Sequence, residues 1–97
     1  MKRYVKATTL TTEQVAEEFK KTGYFYGRYT TRRGKKYDFL ITEDGRVEAR
    51  EQYTDQKSTG GYRIREKYLY KIPKEMQNYI IEHYGQQLSE LGITLRF

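Results

Sequence analysis

Two kinds of side chain in this sequence could do chemistry at scale, phenols and cations. Eleven tyrosines are interleaved with nineteen lysines and arginines. The densest stretch is Tyr62-Arg63-Ile64-Arg65-Glu66-Lys67-Tyr68-Leu69-Tyr70-Lys71. Successive side chains on a strand point to opposite faces. Tyr62, Ile64, Tyr68 and Tyr70 therefore share one face, and Arg63, Arg65, Lys67 and Lys71 share the other. Such cations suit phosphate, and such phenols suit stacking on bases or bonding to phosphate through the hydroxyl. Tyrosine and arginine also favour protein surfaces, where they are enriched at binding hot spots.

A second basic element is Arg32-Arg33-Gly34-Lys35-Lys36, four cations around a glycine, which reads as a hairpin tip. A tip of this kind reaches along a phosphate backbone or into a groove. Arg28 lies on the strand leading to it. Tyr26, Tyr29 and Tyr37 flank it and are expected to stack or hydrogen-bond. The expected electrostatic contacts are Arg28, Arg32, Arg33, Lys35 and Lys36 on the first hairpin, with Arg63, Arg65 and Lys67 on the later strand. The simpler account is a solvated tip and a charged edge strand that resists aggregation.

Segment 27–37, Gly-Arg-Tyr-Thr-Thr-Arg-Arg-Gly-Lys-Lys-Tyr, resembles the first hairpin of the small arm-type DNA-binding domains of tyrosine recombinases. Those domains insert a three-stranded sheet into the major groove. The resemblance covers about a tenth of the chain and implies DNA contact by the tip. The expected second helix and the strand at 62–71 depart from that smaller domain.

Catalytic constellations are sparse. His83 is the single histidine, and it falls on the edge of an apolar helix stripe, where it reads as a packing residue. Ser58 and Ser89 have no His/Asp relay around them, so nucleophilic triads and His-based zinc sites are set aside. Asp38 and Glu48, the latter followed by Ala49 and Arg50, faintly resemble the acidic-x-Lys pattern of metal-dependent nucleases, with Arg in place of Lys. A charged, solvated strand is the better reading. No catalytic residue, metal site or cofactor is expected.

The elements that must position these residues follow from pattern. Thr11 and Gln14 form a capping box, Leu10 and Val15 a hydrophobic staple, and Gly23 a stop, giving a helix over 12–22. Lys2–Thr8 reads as a strand before it. Tyr24–Thr31, Lys36–Thr42 and Arg46–Tyr53 read as antiparallel strands, with Glu43-Asp44-Gly45-Arg46 a tight turn. Thr54–Gly61 is expected to be a long polar loop, and Tyr62–Ile72 a strand. Pro73 opens a second helix whose apolar residues recur from Met76 to Leu91 at spacings of three and four. Gly85 interrupts it, Gly92 ends it, and Ile93, Leu95 and Phe97 alternate as a last strand.

The fold class is α+β, in the order β-α-β-β-β-β-α-β, with one mainly antiparallel sheet and two helices packed on one face. Residues 1–97 form a single domain. Net charge is +6 with pI ≈ 9.5, which favours acidic partners. With no cysteine there is no disulfide or thiolate chemistry, and no apolar run approaches a membrane span. A cytoplasmic, non-enzymatic binding protein is expected, with nucleic acid, DNA or RNA, as partner. The competing expectation is a phage or mobile-element inhibitor, anti-CRISPR-like, that occludes a host protein.

Overall fold

The computed structural model describes residues 10–56 and 61–97. Six elements follow in order: α1 (Thr12–Thr22), β1 (Tyr24–Thr30), β2 (Lys36–Thr42), β3 (Val47–Gln56), β4 (Tyr62–Leu69) and α2 (Lys74–Glu90). The strands form one antiparallel meander, β1-β2-β3-β4. Both helices cover the same face of it. The expected strand at Lys2–Thr8 lies outside the described residues.

α1 forms as its ends dictate. The Thr11 hydroxyl accepts from Gln14 N–H at 3.1 Å, and Thr11 N–H donates to Gln14 Oε1 at 2.9 Å. At the other end Gly23, at φ 89°, donates to the Phe19 carbonyl at 2.8 Å. Val15 and Phe19 face inward. α2 starts at Lys74 with Pro73 as its N-cap, and Met76, Ile80, Tyr84 and Leu88 form its buried stripe at intervals of four. The helices are tied by Gln87 Nε2, which donates to the Leu10 carbonyl at 2.7 Å.

Beneath them lies the core face of the sheet: Phe25, Tyr37, Phe39, Ile41, Val47 and Ala49. Gly27 pairs with Phe39 across β1 and β2. A Cβ at Gly27 would sit 2.5 Å from the Phe39 ring, so the ring occupies the space that the glycine leaves.

Two expectations are corrected. β3 runs through Thr54 to Gln56 rather than ending at Tyr53, because residues 53–56 pair in register with 65–62 of β4. Cross-strand pairing satisfies the backbone of a segment too polar to be read as strand. The C-terminal segment is not a strand; it forms one parallel bridge, Arg46 with Arg96. Ile93 and Leu95 pack against the core instead, and the Arg96 N–H donates to the Gly45 carbonyl at 2.8 Å. Gly45, at φ 90°, could carry no side chain, since a Cβ would lie 1.8 Å from the Thr94 carbonyl oxygen.

Two glycines therefore predict opposite outcomes. Gly27→Ala must displace the Phe39 ring and should cost about 1–3 kcal/mol by overpacking. A Cβ at Gly85 would meet only Ile81 Cγ2 at 3.6 Å, so Gly85→Ala should stabilise by about 0.5–1 kcal/mol. Chemical denaturation of the two variants checks both signs.

Burial pushes the Tyr84 phenol up to about 12, with Tyr79 adding to the shift. Its folded value lies above the unfolded one near 10. Stability from this group is therefore complete below about pH 10 and is lost as pH rises through about 12. Denaturation midpoints measured from pH 8 to 11.5 should fall over the upper part of that range, and less steeply in Tyr84→Phe.

Candidate nucleic-acid interface

β2 stops pairing with β3 at Lys36–Gln52, while β3 and β4 continue for four more pairs. A two-stranded ribbon thus projects about 13 Å beyond the four-stranded sheet. Beside it stands the β1–β2 tip. Thr31 N–H donates to the Lys35 carbonyl and Gly34 N–H to the Thr31 carbonyl, each at 2.9 Å, with Gly34 at φ 91°. The notch between tip and ribbon is lined by Arg33, Lys35, Lys36, Tyr53, Thr54 and Ile64, among others.

The structure gathers most of the expected cations at this end. Arg32, Arg33, Lys35 and Lys36 are exposed on the tip, and Arg63 and Arg65 are exposed on the ribbon. Lys67 follows one row inward, where it pairs across the strands with Glu51. Arg63, Arg65 and Lys67 lie on the helix-bearing face, because their cross-strand partners continue the rows of Tyr37 and Phe39. The helices do not extend over that part of the sheet, and all three cations stay exposed. Lys35 Nζ lies 3.3 Å from Glu51 Oε2. That hydrogen bond raises the Lys35 pKa, as does the neighbouring Tyr37, so its charge persists.

Other expected residues are elsewhere. Tyr37 is buried in the core, and Tyr29 packs half-buried against it. Their rings stack at 6.1 Å, and the Tyr29 hydroxyl donates to Glu75 Oε1 at 3.3 Å. Both stand on the helix-bearing face where the helices cover it, with the Tyr29 ring 4.8 Å from that of Tyr79 on α2, so neither is presented for stacking on a base. Burial, with Glu75 beside it, raises the Tyr29 pKa. Arg28 and Tyr26 sit on the opposite, helix-free face. Arg28 Nε lies 3.3 Å from Asp38 Oδ1, and Asp38 also accepts from Gln52 Nε2 at 3.0 Å.

Tyr53 is the residue that sequence reasoning missed. It is exposed, lines the notch and pairs with Arg65. With the expected strand ended at Tyr53 and a polar loop expected after it, the pairing with Arg65 carried no local signal in the sequence.

The carboxylates Asp38 and Glu48 are engaged as ion pairs, Glu48 with Arg46 at 3.7 Å. Among the described residues no three His, Asp or Glu side chains gather as a metal site. His83 is half-buried, with Nδ1 3.1 Å from the Tyr79 carbonyl oxygen of its own helix and its ring 4.2 Å from that of Tyr79. No helix among the described residues is long and apolar enough to cross a membrane.

Compared with protein families, with curated proteins and with solved structures, the chain matches none. The likeness of segment 27–37 to recombinase arm-binding hairpins therefore gains nothing from these comparisons.

Two ion pairs of the β1–β2 hairpin predict different costs. Asp38→Ala removes a buried carboxylate with two partners and should lose about 1–3 kcal/mol. Lys35→Ala breaks an exposed pair and should change stability by less than about 1 kcal/mol. Thermal melts of both variants decide it.

Proposed function

We propose that this protein binds nucleic acid through the basic end formed by the β1–β2 tip and the β3–β4 ribbon, without catalysing a reaction on it. One observation carries the reading: cations far apart in sequence, at 32–36 on the tip and at 63–67 on the ribbon, are exposed at the same end of the sheet. Phosphate contacts by lysine and arginine supply most non-specific affinity and depend on salt through released counterions. A two-stranded ribbon is also narrow enough to enter a major groove.

The helix layer adds to this. α1 and α2 carry Glu13, Glu17, Glu18, Glu75, Glu82 and Glu90 against Lys20, Lys21 and Lys74. The helices are therefore acidic in a chain that is basic overall, and the positive charge is concentrated in the sheet and its loops. A polyanion approaching this charge distribution is steered to the ribbon end and away from the helices.

A second reading has one observation of its own. The helix-free face exposes Tyr24, Tyr26, Tyr68 and Ile64 among evenly balanced charges, a composition suited to a protein partner. In that case the chain acts by occluding a host protein.

The test is a fluorescence titration against single-stranded DNA, duplex DNA and RNA at several salt concentrations. Binding to at least one should weaken with salt, with a slope near −0.9 per duplex phosphate contacted. The variant Arg32→Ala/Arg33→Ala/Lys35→Ala/Lys36→Ala should bind at least tenfold more weakly with its fold intact. Unchanged affinity in that variant would remove the tip from the interface. A protein retained stoichiometrically after nuclease treatment, with no strand binding at low salt, would favour the second reading.

A further inference from the structure

The helix-free face carries a small cavity of about 90 Å³ between Tyr26 on β1 and Tyr68 on β4. Leu40 lies in its floor, and Asp38, Glu48, Arg50 and Glu66 ring it. The two tyrosines stand on the outer strands, three strand spacings or about 14 Å apart, and each ring is about half exposed. Tyr70 holds Tyr68 edge-on at 5.4 Å between ring centres, while Tyr26 lines the cavity beside Asp38.

The polar rim decides what fits. Every carboxylate in it has a guanidinium partner: Asp38 with Arg28 at 3.3 Å, Glu48 with Arg46 at 3.7 Å, and Glu66 with Arg50 at 3.3 Å. A phosphate finds no net attraction there, and a cation would have to displace an arginine already in place. A neutral, flat group can stack on the phenols and bond to the rim without breaking a pair. The cavity is well below the roughly 300 Å³ of a small-molecule pocket, which suits one ring lying partly in the open.

The site is also continuous with the basic end. On the same face Lys36 lies between the hairpin tip and Arg28, and Arg28 is one row from Tyr26. Four residues along β2, about 13 Å, separate Lys36 from Leu40.

We infer that the Tyr26–Tyr68 cavity receives one unpaired nucleobase of a strand whose phosphates lie on the basic end. This deepens the nucleic-acid reading and rests on it. Stacking on exposed sheet aromatics is indifferent to which base is presented. The protein then prefers single strands, or duplexes with an extruded base, over continuous duplex.

The probe is a single-stranded oligonucleotide of mixed sequence, set against a strand of equal length made only of abasic phosphodeoxyribose units. Their phosphates are the same, so only the bases differ. The wild-type protein should bind the base-bearing strand about tenfold tighter. Tyr26→Ala/Tyr68→Ala should bind both strands alike, at the wild-type abasic affinity and with the same salt slope. Tyr26→Phe/Tyr68→Phe should keep the preference, since the rings remain. Equal binding of the two strands by the wild type would overturn the inference, as would a preference that survives the alanine pair. Binding of neither strand by the wild type would overturn the nucleic-acid reading itself.

Discussion

Phe39 lies with its ring over Gly27 of the neighbouring strand and 6.3 Å, centre to centre, from Tyr84 of α2. The facing of nearly every strand residue follows from that contact. Side chains on a sheet alternate with a period of two, so one buried residue on β2 fixes all the others. Phe25, Tyr37, Ile41, Val47 and Ala49 follow Phe39 under the helices. A slip of one residue would send that whole set to solvent and bring Asp38, Arg50 and Glu48 into the core. The same alternation carries Arg63, Arg65 and Lys67 to the helix side of β4, and Ile64 and Tyr68 to the other.

The helices cover only part of the sheet they pack on, and this division makes the surface usable. Where they cover it, the aromatic residues are core; beyond them, the same face becomes cationic as it enters the ribbon. The extra pairs of β3 with β4 are what project those cations from the body of the fold. On the opposite face the arginines are spent on carboxylates, leaving the tyrosines as the distinctive exposed groups. A single meander therefore presents a charged end and a neutral aromatic face, connected through Lys36 and Arg28.

Much of this was legible from residue order, for identifiable reasons. The first helix carries its own start and stop signals in Thr11, Gln14 and Gly23, and these are local. The turn at Gly45 and the tip at Gly34 are equally local, requiring positive φ where only glycine is comfortable. The extension of β3 was hidden because Thr54-Asp55-Gln56 is polar and gains its strand geometry from β4, a partner outside the segment. The C-terminal residues alternate like a strand, yet their apolar side chains are used to close the core beside the β2–β3 turn. The site was harder still. The cations could be found from sequence because charge stays at the surface, but Tyr29 and Tyr37 look no different from Tyr26 and Tyr53. Register against Phe39 puts Tyr26 on the open face, and only the extent of the helix layer separates the buried Tyr29 and Tyr37 from the exposed Tyr53 on the same face.

The most direct measurement is a map of backbone amide shifts on adding a short oligonucleotide to labelled protein at low salt. The largest changes should fall at residues 31–36, 52–54 and 63–67, on the tip and the ribbon, with little change along α1 and α2. Shifts concentrated on the helices, or none at any strand or duplex tested, would contradict it.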